Sequence, residues 1–312
     1  MGSSKQTDVK IMEELIEILR SFLLDLLKLR ESTRFTAGDD VTKEKVIITF
    51  EVSIGNHLEA IRDLLFYPTF PKPGQPVYMP AKNYHALSIS VITRAMLESA
   101  SILYWILQSD EKHVSVKISE YYKYIQLCHA ISFQELKSPL TNEQVELIKK
   151  SKYFCTNEAQ GISWKDLTLG HVRQDYYLVI EKKLGNKQGP DDKLNPTKLV
   201  TNFLAHEVKM ESFDELHFKK MYGLLSDFVH AHPFAIANMF SLEASGKGGV
   251  TINFNNNAPY LLLTSLSTAI ECYRYAFCAL LSVFKKEKEL LLIKEIFKKY
   301  IIQSQEINKK VP

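Results

Sequence analysis

The chain has 312 residues, 46% of them hydrophobic and 24% charged, with a formal charge of +3. That is the usage of a globular protein with enough apolar residues for a large core, and it excludes a disordered or collagen-like chain. Only 12 glycines and 11 prolines punctuate it, which favours long helices over a many-stranded β fold.

Between Val9 and about Arg30, Ile11, Leu15, Ile18, Leu19, Phe22, Leu26 and Leu29 recur at three- and four-residue steps. This periodicity predicts a long amphipathic helix. A second helix is predicted from about Thr42 to Leu65, its start blurred by β-branched residues. The segment FYPTFPKPGQPVYMP then carries five prolines, an extended connection that no helix crosses. Lys82 to Gln108 reads as a central helix that is apolar on nearly all faces. Another begins near Val116. Thr141, with Glu143 close behind, predicts an N-cap and a short helix. A loop anchored by Trp164 covers Phe154 to Leu169, and helix returns from His171 to Leu184.

GNKQGPDDKLNP is a solvent-exposed linker, followed by predicted helices from Pro196 to Val208 and from Ser212 to about Ala231. SGKGGVTINFNNNAP alternates Val250, Ile252 and Phe254 after glycine-rich turn chemistry. It predicts a short hairpin or an irregular loop, and it lacks the phosphate-loop pattern. Pro259 to Phe284 is long enough to span a bilayer. Glu271 and Arg274 near its middle would each cost about 3 kcal/mol there, and three residues apart on a helix they can pair. A helix buried in protein is the expectation. The last helix, from Lys285 to about Asn308, is basic, with eight lysines against four glutamates up to Lys310. Lysines outside an apolar stripe read first as a solvated face, and otherwise as an RNA- or lipid-binding strip.

Fold class is therefore expected to be all-α: a helical bundle with long amphipathic terminal helices and at most one short β-hairpin near 249–255. The expected division is 1–40 for the N-terminal helix, 41–285 for the core and 286–312 for the basic C-terminal helix. Cys128, Cys155, Cys272 and Cys278 lack the C-x-x-C spacing of a zinc or redox site and read as buried, reduced thiols. No secretory leader is apparent, so a cytoplasmic protein without membrane association is expected.

Two polar stripes interrupt apolar helices. Arg94 and Glu98 lie four apart in SISVITRAMLESASILYWIL. They are either a structural ion pair or an arginine held by a carboxylate and aimed at an anionic ligand such as phosphate. Tyr222, Ser226 and His230 share a stripe in MYGLLSDFVHAHP, and the imidazole suits proton transfer near neutrality. Ser226 and His230 point the same way and no G-x-S-x-G elbow exists, which argues against a serine hydrolase. His230 and His232 diverge on a helix, which argues against a metal pair.

At these segments the chain resembles the HEPN-like helical superfamily, in a branch associated with bacterial and phage defence. The resemblance rests on Arg94, Glu98, Tyr104 and Trp105, on Trp164, and on Tyr222, Ser226 and His230, over roughly residues 45 to 285. It implies an up-and-down bundle, often dimeric, and metal-independent RNA cleavage by an arginine and a histidine from an R-x4-6-H motif. Carried over, His230 would be the acid/base, Arg94 would hold the phosphate, and Ser226 and Glu98 would complete the catalytic set. Tyr222, Lys219 and Lys220 would bind substrate. No arginine lies four to six residues before His230, so Arg94 would have to come from another helix. No metal and no cofactor are expected. The expected partners are RNA or a nucleotide, a second copy of the chain, and a partner or antitoxin protein. The alternative function is a non-enzymatic interaction module or a nucleotide or ligand sensor.

Overall fold

A computed structural model gives the fold, and it describes residues 2–36, 41–66, 86–108, 111–151, 161–173, 196–207, 240–244, 250–254 and 257–308. Among these the protein is an all-α helical bundle with one two-stranded hairpin. The helices are α1 (Gly2–Ser32), α2 (Val41–Phe66), α3 (Ala86–Leu107), α4 (Glu111–Glu135), α5 (Asn142–Ser151), α6 (Leu169–Arg173), α7 (Pro196–Glu207), α8 (Asn257–Val283) and α9 (Glu287–Asn308). A 3₁₀ turn at Trp164–Asp166 precedes α6. Strand β1 (Phe240–Ala244) pairs antiparallel with β2 (Val250–Phe254), Leu242 opposite Ile252, so the alternating run does form a hairpin. The helix expected from Ser212 to Ala231 lies outside the described residues.

The chain forms two compact units, each drawn from separated stretches. The first comprises Met1–Gly38, Ile47–Leu103 and Leu199–Pro312; the second comprises Asp39–Val46 and Tyr104–Lys198. In the first, α1 packs along both α8 and α9. Leu19, Phe22 and Leu26 of the predicted α1 stripe are buried, joined by Ile16, Leu23 and Leu27, which the spacing did not include. Phe22 stacks on Tyr300 of α9, ring centroids 4.9 Å apart. Helix α2 forms despite its β-branched start because Val46, Ile47, Phe50 and Ile54 are all buried. Tertiary burial outweighs a propensity deficit of a few tenths of a kcal/mol per residue.

Short connections shape the ends of the long helices. Lys285 adopts a left-handed backbone (φ 52°) after α8, and its neighbour Lys286 donates its N–H to the carbonyl of Leu281 at 2.8 Å. Lys137 (φ 55°) ends α4 in the same way, with Ser138 N–H on the Phe133 carbonyl. These are Schellman caps with lysine where glycine is usual. The N-cap of α5 is a reciprocal box. The Thr141 hydroxyl accepts from Gln144 N–H at 3.2 Å, and the Gln144 carbonyl oxygen accepts from Thr141 N–H at 2.9 Å. Gln144 rather than Glu143 is the partner, because it occupies the third helical position.

The second unit has a small core of its own. Leu127, Ala130, Ile131, Ile148, Leu167 and Val172 pack together, with Trp164 against them. Gln134 ties this loop down by donating to the carbonyls of Trp164 and Leu167. The tryptophan thus anchors the loop, as its isolated position in the sequence suggests.

Candidate functional site

Helix α3 presents two different faces. Ser90 and Thr93 are fully buried and bind α8: the Ser90 and Ser265 hydroxyls are 2.8 Å apart, and Thr93 donates to the Ser265 carbonyl. Met96, Leu97 and Ala100 continue that face and are fully buried. These contacts fix the rotation of α3 and so fix where Arg94 points. Arg94 sits on the shoulder of the buried face. Its Nε donates to Glu98 Oε1 at 3.0 Å, the side chains being 15% and 41% exposed. The carboxylate, one turn further on, lies further toward solvent and holds a largely buried guanidinium in one orientation. A buried arginine costs several kcal/mol unless it is so paired, so the i, i+4 spacing supplies what burial demands.

Of the expected site residues, only Arg94 and Glu98 are described. Tyr222, Ser226, His230, Lys219 and Lys220 all lie outside the described residues. Of the aromatic pair further along α3, Tyr104 is buried. Trp105 lies under Lys117, whose Nζ is 4.3 Å from the ring centroid and donates to the Trp105 carbonyl at 2.7 Å. Lys117 is itself buried, and its charge is stabilised by that carbonyl and by the ring face. Two of the scattered histidines that are described have local contacts. His171 Nδ1 accepts from Thr168 N–H at 3.1 Å, and His129 meets the Phe133 ring edge-on. Among the described residues no group of three or more His, Cys, Asp or Glu side chains is placed to hold a metal ion.

Sequence reasoning missed a polar cluster that joins three helices. Arg30, at the end of α1, donates from Nε to Glu51 at 2.8 Å and from a terminal nitrogen to Glu59 at 2.6 Å. Tyr273 of α8 donates to the same Glu51 oxygen at 3.1 Å. Burial, then the Glu51 carboxylate, pushes the Tyr273 phenol far above its ordinary pKa, so it stays a donor. Gly55 lies between the two glutamates, one turn from each. A Cβ there would meet the Arg30 guanidinium carbon at 3.2 Å. Glu51, Gly55 and Glu59 at four-residue steps were the only sequence signal of this cradle. The cluster ties α1, α2 and α8 together and reads as architecture.

The expected pair in α8 also forms: Arg274 donates to Glu271 at 2.7 Å, with the guanidinium 5.2 Å from the centroid of the Phe297 ring. Burial raises the Glu271 pKa, and Arg274 lowers it by less. Among the described residues only Ser88–Leu107 is long and apolar enough to cross a membrane, and 56% of that stretch is buried within the protein, as a core helix would be.

Residues 75–248 match DUF5677, a family of unknown function. The chain belongs to that family. The matched stretch is more than half of the chain and holds both polar stripes, Arg94/Glu98 and Tyr222/Ser226/His230, while α1, α2, β2, α8 and α9 fall outside it. No curated protein and no solved structure matches the chain.

Proposed function

We propose that this DUF5677 protein is a cytoplasmic, HEPN-like effector that cuts RNA without a metal, using Arg94 and His230. The observation that carries the reading is the Arg94–Glu98 pair, an arginine oriented by a carboxylate on the shoulder of a core helix. Its further support is that one family segment spans both this pair and the Tyr222/Ser226/His230 stripe. The defence setting comes with the resemblance alone.

In this reading His230 takes the proton from a ribose 2′-hydroxyl. The 2′-oxygen bonds to the adjacent phosphorus, the bond to the 5′-oxygen breaks, and that oxygen is protonated as it leaves. Arg94 neutralises charge gathering on the phosphate oxygens, a role that suits a planar, permanently charged guanidinium. Glu98 fixes the arginine, Ser226 and Tyr222 orient the reacting groups, and Lys219 and Lys220 hold the flanking phosphates.

The test is incubation of total RNA with purified protein in EDTA, wild type beside folded His230→Ala. Cleavage by the wild type alone supports the reading. Equal cleavage by both removes His230 from it.

A second reading has one observation in its favour: Arg94 already has its carboxylate within its own helix. On that reading the pair is structural and the protein is a helical interaction module or a ligand sensor without catalysis. Arg94→Ala would then lower stability by about 1–3 kcal/mol and remove no activity.

A further inference from the structure

Helix α9 buries one face within the first unit, through Ile293 and Ile307, with Phe297 and Tyr300 beside Phe22. Its opposite face is unusual. Four of the exposed large hydrophobic side chains described lie on this helix, with Leu291 58% and Ile302 46% exposed. A solvated helix face gains nothing from leucine and isoleucine at such positions.

The exposed residues Lys288, Leu291, Glu295, Lys298, Ile302 and Gln305 follow one another at alternating steps of three and four. That spacing places them on one face of the helix, with Leu291 and Ile302 as its apolar positions. This face is self-complementary about its own midpoint, between residues 296 and 297. Turning the helix over about that point sets Leu291 against Ile302 and Glu295 against Lys298. Lys288 then faces Gln305. A parallel alignment would put Glu295 on Glu295 and Lys298 on Lys298, which like-charge repulsion disfavours.

We infer that the outer face of α9 is a docking surface for a second copy of this chain, packed antiparallel through the Leu291–Ile302 seam. The occupant follows from charge complementarity: the helix is the one partner certain to carry the matching order of apolar, acidic and basic positions. The interface is isologous, each contact occurring twice. The seam spans roughly 26 Å at about 1.5 Å per residue, so the contact is small and the dimer weak, dissociating in the micromolar range. The inference stands independently of RNA cleavage, since α9 lies outside the stretch that carries the candidate site.

The experiment is sedimentation equilibrium on the full chain over a dilution series from about 1 to about 100 µM, which brackets a micromolar Kd and its tenfold increase. Wild type, Glu295→Lys and Lys298→Glu are each run alone, followed by the two variants mixed. Wild type is expected to be dimeric. Each variant alone sets like charges together twice per dimer and should dissociate at least about tenfold more readily. Mixed, the two variants restore both attractive pairs, and the dimer should return. Both substituted positions are solvent-exposed, so circular dichroism should show unchanged helicity. A monomeric wild type, variants as dimeric as wild type, or a mixture that stays monomeric overturns the inference.

Discussion

Removing Glu51 and removing Glu59 should have very different consequences, although both carboxylates bind the same arginine. Distance alone ranks Glu59 first, at 2.6 Å from Arg30 against 2.8 Å for Glu51. Burial reverses that order. The Glu51 side chain is 5% exposed and that of Glu59 is 37% exposed. Glu51→Ala deletes a charge-assisted hydrogen bond worth about 1.5–3 kcal/mol and orphans the buried Tyr273 hydroxyl, at about 1–3 kcal/mol more. Arg30 keeps Glu59 and some contact with water, which recovers part of this. The expected loss is about 3 kcal/mol. Glu59→Ala breaks a partly solvated pair, for which about 1 kcal/mol or less is expected. Urea denaturation followed by helical circular dichroism measures both variants directly. Equal losses, or a larger loss for Glu59→Ala, would refute the claim that burial governs this cluster.

Two other perturbations follow from the structure. Lys285→Gly should stabilise the protein by about 0.5–1 kcal/mol, because a lysine held at φ 52° pays a steric cost that glycine avoids; thermal melting checks this. Glu271 concerns pH. Burial raises its folded-state pKa above the unfolded value, so the folded protein binds the proton more tightly. The resulting stability is fully present below the unfolded pKa, about 4.3, and is lost as pH rises through the folded pKa. Glu271→Gln should therefore flatten that part of the stability profile. Urea midpoints measured at stepped pH, showing the same slope in both proteins, would contradict it.

Much of the fold is legible in the sequence because it depends on local periodicity. The stripe of α1, the Glu271–Arg274 pair and the β1–β2 hairpin each depend on residues a few positions apart. The core placement of α3 likewise follows from an apolar stretch with few charges. The Arg30 cradle was not legible, since Tyr273 lies 222 positions from the carboxylate it binds. No periodicity encodes such a partner. The α5 cap shows a smaller failure of the same kind: Glu143 and Gln144 are both good helix residues, and only the third-position geometry selects Gln144. For the candidate site, the sequence pairs Arg94 with Glu98 correctly because helical spacing decides it. The distance from Arg94 to His230 depends on how two segments far apart in the sequence come together, and local spacing carries no information about that.

That meeting is the central claim, and RNA end-group analysis tests it most directly. RNA incubated with wild type, folded Arg94→Ala and folded His230→Ala in EDTA is analysed for 2′,3′-cyclic phosphate ends. The account predicts such ends with the wild type and their loss in both variants. Cyclic ends undiminished in Arg94→Ala, or no cleavage by the wild type, would contradict it.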